Sequence, residues 1–395
     1  MIVLSYTLVS KKKHHDSTVY TIHMTSLKWL DDSEVDKTIW WHMVTIAAPK
    51  VYKNAQMKKS CFLLLAGGSN DNPEEPAEYS ANQIRTLAVT TGSFQRRGSD
   101  AGQSFWTPKK FMMETFCATA VDCMACSSAE EQKHPFGMKN ITENSLFAYI
   151  LWRFINDPTA SLDCIIQFPM VKATVRAMDT VTDFLVKQTG GNVKLTKFML
   201  LGSSKRGWIA WLTAAVDKRV VSFVSVVMDI LNLAKSLHHQ YRSYCGWSFA
   251  LAPFYFLNIT QQIDHPRFEL IASNIDPLKY NNHYINTTKY LLVASGDEVG
   301  QADNSYYYFN QLQGEKYLRI MPNKNHDLGF HNDSIGVPTA TFYTNHHADQ
   351  QHPEATYSSS TDSREKLIIT SELHIIPETF PCEDCVGEGC YSKLV

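Results

Sequence analysis

The hexapeptide Gly202-Ser203-Ser204-Lys205-Arg206-Gly207 constrains this 395-residue chain more than any other segment. It follows a hydrophobic run at 196–201 (TKFMLL) and precedes a stretch carrying Trp208, Trp211 and Leu212 at helical spacing. A strand that passes at once into a helix must bend sharply. Glycines flank the tip of such a bend because a Cβ two positions away would strike the adjoining strand or helix. The usual form is Gly-x-Ser-x-Gly. Here Gly202 keeps its place, Arg206 stands where the second glycine is expected, and Gly207 follows one residue later. Ser204 is therefore expected at the tip of a strand-to-helix turn.

The neighbouring segments repeat the same rhythm. Residues 18–24 (TVYTIHM) and 40–48 (WWHMVTIAA) read as strands, and 61–66 (CFLLLA) as a buried strand ending at Gly67-Gly68. Helical patterns follow at 143–156 and 169–188, the second carrying Val171, Val175, Met178, Val181 and Phe184. After the helix that runs from the turn to about 217 come a strand at 220–228, an aromatic, helix-prone insertion at about 230–287, a strand at 289–295, a helix near 303–312 and a strand at 316–321. Strands separated by helices form a mostly parallel sheet covered on both faces, which is the α/β class. Residues 95–140 are expected to form a long loop. The polar segment from 332 to 395 is expected to be loosely ordered, with KLIITSELHII its one patterned run. The expected organisation is one domain over 18–330, with the insertion as a helical cap, followed by the tail.

A serine at such a turn becomes nucleophilic when a histidine takes its proton and a carboxylate orients that histidine. On the α/β-hydrolase fold the chain order is serine, acid, histidine. Gly296-Asp297-Glu298 follows the strand at 289–295, and Pro322-Asn323-Lys324-Asn325-His326 follows the strand at 316–321. Ser204, Asp297 and His326 thus fall in the required order at the carboxyl ends of strands, where α/β sheets build their sites. Asp229, which also follows a strand, and Asp303 are alternative acids. A tetrahedral intermediate needs two N–H donors. The Lys205 N–H is one candidate, and the loop Gly67-Gly68-Ser69-Asn70, through Gly68 or Ser69, supplies the other. The charges of Lys205 and Arg206 read better as structural than as substrate contacts.

The bulk properties narrow the partners. A net charge of −2, with 44% hydrophobic and 19% charged residues, gives no basic footprint for nucleic acid. No run of about 18 apolar residues suggests a membrane span. The first fifteen residues place an apolar stretch before positive charge, the reverse of a secretory signal. Four Asn-x-Ser/Thr sequons, at Asn140, Asn258, Asn286 and Asn332, are nevertheless of the kind used in a secretory lumen. Of nine cysteines, Cys123/Cys126 and Cys382/Cys385 form Cys-x-x-Cys pairs. They lie far apart without supporting histidines, so disulfides or free thiols are favoured over zinc. No metal or cofactor is expected.

The strings TSLKWL (26–31), WWHMVTI (40–46), GGSN (67–70), PMVKATVRAMDTV (169–181), GSSKRGWIAWLTAAVDKRV (202–220) and GEKYLRIMPNKNH (314–326) resemble the PhoPQ-activated pathogenicity-related family. That family includes secreted bacterial proteins and the eukaryotic autocrine proliferation repressor proteins. The resemblance covers roughly 20–330 and implies an α/β-hydrolase fold and an exported protein. It puts the family's elbow serine on Ser204, its Gly-Asp-Glu segment on Gly296, Asp297 and Glu298, and its histidine on His326. Residues 95–140 and the tail after Gly329 depart from it, as does Glu143-Asn144, where the family pattern implies Glu-Asp. Two function classes follow. One is a serine hydrolase acting on an ester or small peptide, with Trp247, Phe249, Phe254, Tyr255 and Phe256 of the cap lining a pocket. The other is a secreted regulator of growth that binds a cell-surface receptor and keeps the hydrolase fold as a scaffold.

Overall fold

In the computed structural model, residues 5–31, 35, 38–66, 85, 88–89, 143–328, 333–347, 354–361 and 367–374 are described. The chain begins with an antiparallel three-stranded sheet, β1 (Ser5–Lys13), β2 (Ser17–Lys28) and β3 (Ile39–Pro49), in the order β1-β2-β3. Strand β1 was not anticipated from the sequence. Most of its residues are exposed, so no hydrophobic alternation marks it. Strands β2 and β3 bury Ile22, Met24, Trp40, Val44 and Ile46. Trp40 also meets Trp29 edge-on at 5.5 Å.

The central sheet is wholly parallel and runs in sequence order: β4 (Ser60–Leu65), β5 (Lys197–Ser203), β6 (Val220–Val226), β7 (Thr288–Ala294) and β8 (Lys316–Met321). Every residue of β4 is buried, as are the five central residues of β5, which is why these strands read as continuous apolar runs. Parallel neighbours require crossover connections. Helices α1 (Glu143–Asn156) and α2 (Gln167–Gln188) lie between β4 and β5, and α3 (Lys205–Val216) lies between β5 and β6. Helix α2 buries Met170, Ala173, Ala177, Val181, Phe184 and Leu185, one stripe at helical spacing, and packs on α3 and β2. In α3 the fully buried Trp211 stacks edge-on with Phe223 of β6 at 4.5 Å and with Tyr284 at 5.1 Å.

The insertion between β6 and β7 holds α4 (Leu233–Tyr244), α5 (Ala252–Phe256) and α6 (Pro266–Ile275), with short 3₁₀ turns between them. Asp276 ties its two ends together. Its carboxyl accepts the N–H groups of Asn232 (3.2 Å) and Leu233 (2.9 Å), which open α4, and of Leu278 (2.9 Å). Burial raises the Asp276 carboxyl above its ordinary range despite those donors. Of the insertion's aromatics, Phe254 lines an apolar cavity and Trp247 packs on Tyr241, whereas Phe249, Tyr255 and Phe256 are exposed.

The segment expected as a helix near 303–312 is two 3₁₀ turns, Ala302–Tyr307 and Phe309–Gln311. Its path is pinned by side-chain bonds from Asn304 and Tyr308 to Asp229, distant in sequence.

The chain divides into two compact units, 1–333 and 334–395. The second carries nearly all of α7 (Asp333–His347) and an antiparallel hairpin of β9 (Glu354–Thr361) and β10 (Leu367–His374), where the sequence suggested little order. Strand β9, EATYSSST, is rich in Thr, Ser and Tyr and lacks the apolar alternation that announces a strand. The expected loop at 95–140, both Cys-x-x-Cys pairs, Asn140, Asn332 and Gly67-Gly68-Ser69-Asn70 lie outside the described residues.

Candidate active site

Strand β5 ends at Ser203 and helix α3 begins at Lys205, so Ser204 alone makes the turn. Its backbone sits at φ 54°, ψ −124°, a region that a side chain rarely adopts and that costs free energy. Two bonds hold it there. The Ser204 N–H donates to the Val226 carbonyl at 2.7 Å, and the Trp208 N–H donates to the Ser204 carbonyl at 3.1 Å.

The glycines explain the irregular motif. A Cβ on Gly202 would lie 2.2 Å from the Arg206 carbonyl oxygen. A Cβ on Gly207 would lie 3.0 Å from both the Gly202 carbonyl oxygen and Ser225 Oγ. The second tight approach therefore falls at Gly207, and the position before it is open to a long side chain. Arg206 uses that freedom to donate from Nε to the Ala66 carbonyl (3.2 Å), tying the turn to the end of β4. Lys205 Nζ donates to Asn144 Oδ1 in the first turn of α1 at 2.7 Å. Asn144 thus keeps a hydrogen bond to Lys205 at the position where the family pattern implies an aspartate.

Ser204 Oγ lies 2.8 Å from His326 Nε2. On the other side of the ring, His326 Nδ1 lies 2.8 Å and 3.0 Å from the two carboxylate oxygens of Asp297. A carboxylate only accepts, so Nδ1 carries the proton and Nε2 presents its lone pair to the serine hydroxyl. Asp297 is 2% exposed. Its Oδ1 also accepts the N–H groups of Val299 (2.8 Å) and Gly300 (3.0 Å). The two loops are stitched by backbone, with Ser295 N–H donating to Met321 (3.0 Å) and Gly296 N–H to Lys324 (2.8 Å). Glu298, adjacent to the acid, accepts the His326 backbone N–H at 3.0 Å.

The structure thus brings Ser204, His326 and Asp297 together. Asp229 and Asp303 are bonded elsewhere. Asp303 Oδ2 pairs with His239 Nε2 of α4 at 2.9 Å. Asp229 is fully buried and accepts the Tyr308 hydroxyl, while its carbonyl accepts Asn304 Nδ2 at 2.7 Å. Burial, with the nearby Asp297 and Asp303 charges adding to it, pushes the Asp229 carboxyl well above the ordinary carboxylate range. The Lys205 N–H stands at the first position of α3, where amides point beyond the helix end. Gln240 of α4 was not singled out by sequence reasoning. It is buried, and its Nε2 donates to the Val299 carbonyl at 2.9 Å. Nothing local in the sequence marks a contact spanning 59 positions. Among the described residues no group of three or more His, Cys, Asp or Glu is placed to hold a metal, and no helix is long and apolar enough to cross a membrane.

Comparison with known proteins agrees with this architecture. The chain is similar to acetyl xylan esterase 1 from Thermoanaerobacterium sp. JW/SL YS485, at 14% identity and a TM-score of 0.51, over 88% of this chain and 89% of that one. The chain thus has the α/β-hydrolase fold. It is 28% identical over 380 residues to autocrine proliferation repressor protein A of Dictyostelium discoideum, covering 94% of this chain and 69% of the relative. The profile of PhoPQ-activated pathogenicity-related proteins matches residues 3–97 and 131–379. The match extends well past the 20–330 span over which the resemblance was read, so both the first strand and most of the tail belong to the family pattern. With most of its length matched in this way, the chain belongs to the PhoPQ-activated pathogenicity-related protein family.

Proposed function

We propose that the protein is a serine hydrolase acting on ester or small peptide bonds. The observation that carries this reading is the unbroken line of hydrogen bonds from Ser204 Oγ through His326 to Asp297. In the proposed reaction His326 Nε2 takes the Ser204 proton as Oγ attacks the substrate carbonyl carbon. The oxyanion is stabilised by the Lys205 N–H and by a second donor from Gly68 or Ser69. His326 then returns the proton to the departing alcohol or amine, leaving an acyl-Ser204, and a water activated by the same histidine hydrolyses it. Asp297 keeps the imidazole in the required tautomer throughout. A fluorophosphonate probe tests this. Labelling of the wild type and none of Ser204→Ala is the expected result, and a folded wild type that takes no label rejects it.

A second reading is favoured by the Dictyostelium relative, whose name describes an autocrine repressor of proliferation. We infer a secreted glycoprotein that also restrains growth through a cell-surface receptor. The exposed positions of Asn258 and Asn286, each within a sequon, support carriage of glycans. Growth inhibition by purified Ser204→Ala protein, equal to wild type, is expected if signalling does not depend on catalysis. Loss of inhibition in that variant ties the two together. A mobility shift of secreted protein on treatment with an N-glycosidase tests the glycans, and its absence rejects them.

A further inference from the structure

An apolar cavity of about 70 Å³, partly open, lies between α1, α3 and the helical insertion. Its walls include Phe147, Trp208, Ile230, Leu237, Phe254 and Ile263, and apart from Thr260 every lining residue is apolar. Two of the wall residues, Trp208 and Phe147, lie close along the chain to residues of the candidate site. Trp208 is four residues after Ser204, in the first turn of α3, and a helical side chain leans over the turn before its own Cα, here toward the elbow. Its ring is fixed by a 2.5 Å bond from Nε1 to the Ile275 carbonyl. Asn144, which holds Lys205, lies three residues before Phe147 on α1. The Phe147 ring meets Trp208 and Phe254 edge-on, each at 5.7 Å. Ile230 directly follows Asp229.

Such a lining offers a guest almost no hydrogen bonds. A sugar, a peptide backbone or a charged group would leave its water partners without replacement, whereas an alkyl chain gains by leaving water. Size sets the length. A dry cavity of about 150 Å³ holds benzene, with six carbons, so a cavity of this size takes about three.

We propose that this cavity receives the acyl chain of the substrate, so that the preferred substrate is an ester or amide of a short aliphatic acid. The assignment rests on the hydrolase reading and adds the substrate class to it. Leu237, half-buried on α4, and Phe254 are the residues that set the depth.

The test is kcat/KM for the p-nitrophenyl esters of acetic, butyric, hexanoic and octanoic acids, with thermal melting confirming that each variant is folded. In the wild type, acetate and butyrate are expected to exceed octanoate by about tenfold or more. Leu237→Trp, which fills the cavity, lowers the butyrate-to-acetate ratio by about tenfold. Phe254→Ala, which deepens it, raises the hexanoate-to-acetate ratio. Ser204-dependent turnover with the same chain-length profile in all three proteins overturns the acyl pocket and leaves the hydrolase reading standing. Absence of Ser204-dependent turnover of every ester overturns both.

Discussion

Gln240, from the helical insertion, holds the Val299 carbonyl at 2.9 Å, while the N–H of the same Val299 holds Asp297 at 2.8 Å. The insertion is thereby joined to the acid of the Ser204–His326–Asp297 line by two consecutive hydrogen bonds. Gln240→Leu removes that donor from the half-buried Val299 carbonyl, which costs about 0.5–1.5 kcal/mol. The expected outcome is a fall in kcat of about tenfold with KM for short esters unchanged, because the Asp297 turn loosens while the substrate's binding surface is intact. A variant that loses stability yet keeps kcat would show that the insertion does not position Asp297.

Exchange of the two rival acids has opposite expected effects. Asp297→Asn removes the acceptor that fixes the His326 tautomer, and kcat should fall by about 10³- to 10⁴-fold. Asp229→Asn keeps an acceptor for the Tyr308 hydroxyl and should stay within about threefold of wild type. Ester hydrolysis by the two variants measures this, and the reverse pattern would make Asp229 the acid.

Asp229 also sets a pH dependence of stability. Its carboxyl is raised by burial, so above the unfolded value of about 4 the native state holds a proton that the unfolded chain has released. Stability then falls as pH rises, by up to about 1.4 kcal/mol per pH unit, until the folded carboxyl itself titrates. Asparagine has no proton to release. The melting temperature of Asp229→Asn should therefore gain on wild type as pH is raised from about 5 to about 8. Parallel melting curves across that range would contradict a protonated native Asp229.

The two glycines of the turn are expected to differ in tolerance. In Gly202→Ala the new methyl would overlap the Arg206 carbonyl at 2.2 Å, with backbone on both sides of the clash. That variant should fail to fold or lose more than about 3 kcal/mol. In Gly207→Ala the nearest atoms are at 3.0–3.1 Å, and two of them belong to the side chains of Ser225 and Met228. A cost of about 1–3 kcal/mol is expected. Chemical denaturation compares them, and a Gly207→Ala variant as stable as the wild type would refute the shifted-glycine account of the motif.

The sequence displayed what is local. The buried strands β4 to β7, the elbow and the stripe on α2 are written in contiguous or periodic apolar residues, and the positions of Asp297 and His326 followed from strand ends. What it hid depends on distance or on exposure. Strand β1 has mostly exposed residues and so no alternation. The 3₁₀ path of 302–311 is set by bonds to Asp229, some 75 residues earlier. Gln240 is an ordinary polar residue until the fold brings it to Val299. The predicted second oxyanion donor, Gly68 or Ser69, lies outside the described residues.

In the proposed reaction Ser204 forms a covalent acyl intermediate. Rapid mixing of the protein with p-nitrophenyl acetate, acid quenching in the pre-steady state, and mass mapping of the peptides measure it directly. A single acetyl group is expected on Ser204, absent from Ser204→Ala and accumulating far more slowly in His326→Ala. Ester turnover with no acetyl on Ser204, or with the acetyl on another residue, would contradict it.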